Sequence, residues 1–382
     1  MKVLVLYDYP PSPGGLATQG DNLYKGLKEL DVEVSPAPLR SEEEKEWYYR
    51  QFEPDVVVGV GYWGYLPNVL TQTEEFDVQV VPWLVSNGFV ANYQSQMNEL
   101  PFMLVTSNWV KNVYVRDGVK PDIIEVLPVG IEMDTFTPRP RSEKKVRTIR
   151  EIWGIEESQI MILTVGGDAA SKGGQEVMRA LARIDSEVPD WHYLCKVWPQ
   201  KRTDEQTKSD RELARELGIA DKVTFSKTEL SRNIMPYLMN ACDIYAGPSR
   251  LEGFGMPHVE ASASGKPVIA TDGMAFKDTM VHDKTAFLAR IEKENVITSS
   301  VLGEEAGFPE GHTVRFSHPV VADYRASVDD VAEYLLRLMN DRELREEMGE
   351  AGRKHVEGKF DYRAVARRFL DLVSSKMESD SP

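Results

Sequence analysis

The chain has 382 residues, 42% of them apolar and 28% charged, enough for two packed domains of roughly 150 to 200 residues each. Its 45 basic and 61 acidic residues leave a net charge of −16, which excludes a basic nucleic-acid-binding surface but leaves room for a small anionic ligand held by local cations and helix N-termini. The two cysteines, Cys195 and Cys242, sit in apolar runs without a Cys/His cluster, so a zinc site is not expected and a reducing, cytoplasmic compartment is.

The opening MKVLVLYDYPPSP has too short an apolar run for a signal peptide, and no stretch reaches the ~20 apolar residues of a membrane span. KVLVLY reads instead as a first strand, followed by a Pro/Gly loop and a helix near residues 18–30. DVVVGVG (55–61), VQVVPWLV (78–85), FMLVTS (102–107) and IIEVLPVG (123–130) continue a series of buried parallel strands alternating with helices. The polar, Pro-containing RPRSEKK (139–145) is the expected linker. Beyond it IMILTVGG, HYLCKVW, KVTFSK, DIYAGPS and KPVIAT mark a second α/β domain. Between residues 290 and 325 the periodicity fades, and the segment reads as an irregular insertion. Helical patterning returns from Val328, and residues 361–376 form one amphipathic helix. Its basic stretch, 363–368, reads as a solvated face, with membrane contact as the alternative.

Four motifs compete for a ligand. Gly59, Gly61 and Gly64 match a dinucleotide fingerprint, but Pro67 interrupts the helix that must follow, and the next strand ends in PWLVSN without an acid for a ribose. Gly14-Gly15 lies between the first strand and a helix, where a backbone can approach an anion or simply turn. In VGGDAASKGG a strand ends at Gly166-Gly167 and Lys172 stands just ahead of a helix N-terminus, which is either a phosphate site or a solvated lysine. The fourth is SRLEGFGMPHVEASASG. Pro257 suits the first turn of a helix and Gly265 its stop, so Glu260 lies about one turn inside and Glu252 outside. Loop amides and a helix N-terminus between two carboxylates describe an anion with hydroxyls at both ends, as in a nucleotide-sugar. His258 reads as a packed or surface helix residue, with a role on acceptor or phosphate as the alternative.

SRLEGFGMPHVEASASGKPVIATDG resembles the E-x7-E region of retaining GT-B glycosyltransferases, family 4 in particular. Gly14-Gly15 resembles that family's N-terminal glycine pair, residues 106–138 its segment ending in P-x-G-[IV]-x-x-x-x-F, and GGDAASKGG its phosphate loop. The resemblance implies two Rossmann-like domains facing across a cleft: an acceptor-side domain (1–140), a nucleotide-sugar-binding domain (141–358) carrying the insertion, and a crossover helix and tail (359–382) that returns to the first domain. It implies that Glu260 binds the ribose and Glu252 the donor sugar. The amides of Gly253, Phe254, Gly255 and Met256 would hold sugar and diphosphate, and Lys172 would neutralise the leaving diphosphate, with Gly15 and Gly167 also at the donor. No metal or other cofactor is implied; a UDP-, GDP- or ADP-linked sugar is the substrate. The acceptor hydroxyl is left open among a small sugar or polyol, a glycan and a lipid, and the oligomeric state is left open too.

Three departures bear on the substrate. Gly167 stands where the family carries an arginine, so either Lys196, Lys201 or Arg202 supplies that charge or the site manages with less. Asn87-Gly88 replaces a His-Gly pair; Asn87 is kept as a catalytic-site candidate that can hydrogen-bond a sugar hydroxyl, although an asparagine is no base near neutral pH. Gly273-Met274 and Asp278 replace a glycine pair and a glutamate. The implied activity is hexosyl transfer with retention of configuration. A GT-B epimerase and a catalytically silent nucleotide-sugar-binding protein are the alternatives.

Overall fold

The computed structural model describes residues 1–86, 88–199 and 201–379, except the side chains of residues 201–203 and 377–379. The chain divides into two compact units. Unit 1 comprises Met1–Glu132, Val296–Val321 and the segment from Lys359 onward, and unit 2 comprises Met133–Asn295 and Ala322–Gly358.

Unit 1 is built on β1 (Lys2–Tyr7), β2 (Glu33–Pro38), β3 (Val56–Tyr62), β4 (Gln79–Val85), β5 (Met103–Val105) and β6 (Ile124–Val126). They pair in parallel in the order β2-β1-β3-β4-β5-β6. Val3 to Tyr7 are fully buried, because helices cover both faces and every position of an interior parallel strand meets the core. β2, EVSPAP, is an edge strand that sequence reasoning missed. Its prolines are tolerated because an edge leaves their missing N–H unneeded.

Unit 2 repeats the plan with β7 (Ile160–Val165), β8 (Trp191–Lys196), β9 (Val223–Ser226), β10 (Ile244–Ala246), β11 (Val268–Thr271) and β12 (Phe287–Ala289), in the parallel order β12-β11-β10-β7-β8-β9. The order reverses between β7 and β10, and in unit 1 between β1 and β3. Such a switch opens a crevice at the carboxyl ends of the strands, where ligands bind in this class of sheet.

Residues 290–325 are not irregular. β13 (Ile291–Leu302) and β14 (His312–Ala326) pair as a two-stranded ribbon. Exposure alternates along β14 from Thr313 to Val320, but polar residues fill the outer positions and even some inner ones, so no apolar run betrays the strand. The expected linker is also ordered within unit 2, where the Arg139 N–H donates to Asn240 Oδ1 at 2.7 Å and Arg141 pairs with Asp243.

The helix Tyr362–Ser379 belongs to unit 1 and packs on the helix Gly15–Glu29. Tyr362 and Arg363 both bind Glu29, and the Arg368 guanidinium donates to the Val126 carbonyl at 2.7 Å. Part of the basic stretch is thus engaged with unit 1 itself. Among the described residues no helix is long and apolar enough to cross a membrane.

In unit 2, Arg353 ties the helix Arg342–Phe360 to the helix Met256–Ala263. Its Nη1 donates to the carbonyls of Met133 at 3.2 Å, Phe136 at 2.5 Å and Ala263 at 2.7 Å. Arg353→Met leaves these carbonyls without that donor and is expected to destabilise the protein by about 2–3 kcal/mol, read from the shift in urea unfolding.

Candidate functional site

The switch point of unit 2 gathers most of the residues singled out in the sequence. β7 and β10 are neighbours in register Ile244↔Ile162, so the loops after them leave the same sheet edge side by side. One carries Lys172 to the start of the helix Gly174–Ile184, and the other carries Glu252 to the start of the helix Met256–Ala263. Lys172 Nζ lies 2.6 Å from Glu252 Oε2, with the two side chains only 20% and 15% exposed.

This contact dictates the residues around it. The lysine stem crosses the end of β7 against Gly166, where a Cβ would meet Lys172 Cγ at 2.3 Å, so only hydrogen fits. Gly255 turns the second loop at φ 88°, and a Cβ there would strike Phe276 at 2.7 Å. Burial opposes the Glu252 charge, but the Lys172 ammonium and the Gly255 N–H outweigh it and hold the carboxyl below its usual range.

Pro257 lies in the first turn of its helix, and Glu260 follows within that helix with its side chain 4% exposed. It is ion-paired with Arg232, whose guanidinium lies 4.5 Å over the Phe136 ring. Sequence reasoning missed Arg232. Nothing in ELSRNIM marks it, because its partner comes from another element and the pairing exists only in three dimensions. Gly253 is half-buried, Phe254 buried, and Met256 begins the helix.

His258 is wholly buried, between Phe276 and Tyr245 at ring separations of 4.4 and 4.9 Å. Its Nε2–H donates to the Gly247 carbonyl at 2.5 Å. Burial pushes the imidazole down to about 4, against the pull of Glu252, so it is neutral near pH 7. It is a packing residue that ties the end of β10 to the second loop.

Gly167 has open space where a side chain would begin. Lys196 is buried at the end of β8, and burial lowers its pKa against the pull of Glu229. The side chains of Lys201 and Arg202 lie outside the described residues, as does Asn87. Arg250, in the same loop as Glu252, is engaged by Glu176 at 3.0 Å and Gln175 at 2.9 Å. Met274 takes φ 54°, a left-handed conformation at a position where the family carries glycine. In unit 1, Gly15 opens its helix, and the preceding Gly14 carbonyl accepts from Thr18 N at 3.0 Å and Thr18 Oγ1 at 2.9 Å. Among the described residues no group of three or more His, Cys, Asp or Glu could hold a metal ion.

The arrangement suits an anion. Two helix N-termini, the glycine-loop amides and Lys172 converge at one sheet edge, with a carboxylate on either side of the loop.

Known proteins bear on this geometry. Residues 145–301 match the family described as glycosyl transferases group 1. The chain is 26% identical over 306 residues to an MMP α-(1→4)-mannosyltransferase of Mycolicibacterium hassiacum, covering 78% of this chain and 61% of that protein. It is 33% identical over 147 residues to a D-inositol 3-phosphate glycosyltransferase of Mycolicibacterium smegmatis, covering 38% and 32%. The chain thus spans between about a third and 61% of the length of these relatives. Its fold is that of a glycosyltransferase from Rickettsia africae (TM-score 0.76, 16% identity, 100% and 99% of the chains covered) and of Anabaena HepE in complex with UDP and glucose (0.73, 16%, 98% and 100%). This is the GT-B architecture.

The His258 environment sets a pH dependence. Its folded pKa is depressed below the ordinary 6.5, so as pH falls through 6.5 the unfolded chain takes up a proton that the native imidazole refuses until about 4. Stability is therefore full above pH 6.5 and falls towards pH 4, by about 3 kcal/mol for this group. Glu252, depressed as well, acts in the same direction at lower pH. His258→Gln is expected to flatten the stability curve between pH 6.5 and 4, measured by urea unfolding at a series of pH values.

Proposed function

Residues 145–301 match the group 1 glycosyl transferases, and from that likeness we propose that the chain moves a hexosyl unit from a nucleoside diphosphate sugar to a hydroxyl acceptor, with retention of configuration. The observation that carries the reading is the Lys172–Glu252 pair at the switch point of unit 2, flanked by the glycine loop and by Glu260. UDP-, GDP- and ADP-linked sugars all present the same diphosphate and ribose. HepE holds UDP and glucose, which supports a UDP-sugar as the first donor to try.

In the free protein each of the two glutamates holds a cation: Glu252 holds Lys172 and Glu260 holds Arg232. An arriving diphosphate competes for Lys172 and frees Glu252 to accept from hydroxyls of the sugar. Glu260 accepts from the ribose hydroxyls. The acceptor oxygen then attacks the anomeric carbon from the face the diphosphate leaves. The carbon–oxygen bond to the diphosphate breaks with its electron pair kept on the phosphate oxygen, and that oxygen takes the acceptor proton. Lys172, the loop amides and the helix N-termini stabilise the charge that develops on the diphosphate. No histidine base is needed on this route, which accords with Asn87 at the family's histidine position. No metal is required for it either.

Lys172→Ala is expected to lower turnover by ~10², as for loss of one transition-state donor, and wild-type kinetics would refute the phosphate role. Glu260→Ala is expected to weaken UDP binding about tenfold, by calorimetry. Gly167→Arg fits the open space beside the strand end and is expected to tighten UDP binding. An unchanged Kd would mean that this position does not face the diphosphate.

A further inference from the structure

The inner end of the ribbon of β13 and β14 meets the loop of Glu252, where the Tyr324 N–H donates to the Arg250 carbonyl at 2.7 Å, whereas its outer end, residues 296–321, belongs to unit 1. There it packs over the loops that follow the carboxyl ends of β3 and β4. Tyr62 Oη donates to the Glu305 carbonyl at 2.9 Å, and Asn92 Nδ2 donates to the Ala306 carbonyl at 3.2 Å. Ala306, with Leu302 and Phe308 against it, completes the core that contains Trp63, Leu84 and Val90. Phe316 on β14 meets Phe89 at a ring separation of 4.9 Å.

These contacts make one aromatic strip. Tyr65 touches Tyr62 at 4.6 Å, Tyr62 touches Trp63 at 5.5 Å, Trp63 touches Phe89 at 6.1 Å, and Phe89 touches Phe316. Trp63 is buried behind the strip, whereas Tyr62, Tyr65, Phe89 and Phe316 are half-exposed. At the Tyr65 end, Arg40 lies 4.5 Å over the ring and within 4.0 Å of Asp8, placing charged hydrogen-bonding groups beside it. At the other end Phe89 follows Gly88 directly in the chain.

We propose that the end of this ribbon is a wall of the acceptor site in unit 1, and that Phe316 with Phe89 and Tyr62 selects a saccharide acceptor by stacking on the C–H face of its ring. The inference rests on the transferase reading above. Half-exposed rings with polar groups at their edge fit an amphipathic sugar, whose C–H face is apolar and whose hydroxyls need partners. The exposed Glu304, Glu305 and Glu310 around the ribbon end disfavour an anionic lipid surface.

Saturation-transfer NMR on the full chain without donor tests it, with aromatic protons irradiated. The probes are the methyl glycosides of glucose, mannose, galactose and N-acetylglucosamine, together with myo-inositol and octyl glucoside. The expected result is transfer to the ring C–H protons of at least one probe saccharide. Phe316→Leu, which keeps the apolar bulk but removes the ring, is expected to weaken that saccharide about tenfold, and Phe316→Tyr to restore it. Equal affinity in wild type and Phe316→Leu overturns the proposal. So does transfer confined to the octyl chain, or no transfer to any probe. Thermal shift of the wild type with UDP-glucose and GDP-mannose is run beside it. Failure to bind either donor overturns the transferase reading, whereas the saccharide signal, read without donor, decides the wall.

Discussion

Lys172 and Glu252, 2.6 Å apart across two loops, set the constraint around which unit 2 is arranged. A half-buried ammonium and carboxylate are tolerated only when paired and hydrogen-bonded. Their meeting requires that β7 and β10 be neighbours, that Gly166 carry no side chain under the lysine stem, and that Gly255 turn left-handed so that its N–H reaches the carboxylate. Each of these conditions comes from a different part of the sequence, and each is met.

The pair also bears on how an acidic chain would receive the doubly charged ligand proposed for it. Neither glutamate of the E-x7-E loop stands as a bare carboxylate, because Lys172 neutralises one and Arg232 the other. On the proposed reading, a diphosphate that engages Lys172 would exchange one anionic partner for another and leave the released carboxylate beside the sugar hydroxyls. His258 stays neutral beneath this exchange. It adds a rigid contact from Gly247 to the loop without adding a charge that would compete for Glu252.

Much of the parallel-strand plan was legible because buried parallel strands are short β-branched runs, as in KVLVLY, DVVVGVG and IMILTVGG. Edge elements were less so. β2 carries two prolines, β12 is three residues long, and β13 and β14 alternate mostly polar residues, so none has the apolar run by which interior strands are recognised. The helix holding Glu260 was legible from Pro257 and Gly265, since those residues punctuate a helix wherever it packs. The aromatic strip that joins Phe316 to Phe89 was not, because its members lie far apart in the chain and single aromatic residues carry no mark of their neighbours.

Local spacing in the sequence therefore sufficed for the interior parallel strands, the helix start at the second loop, and the positions of Lys172, Glu252 and Glu260 relative to their own elements. Those features depend on backbone preferences and burial within a few residues. Tertiary structure alone decided that Lys172 holds Glu252, that Arg232 holds Glu260, that His258 is sealed in the core, and that a polar segment folds into a ribbon over β3 and β4. Each of these is a contact between groups brought together by chain folding, and its stability depends on distance and solvent exclusion, which a linear order of residues does not encode locally.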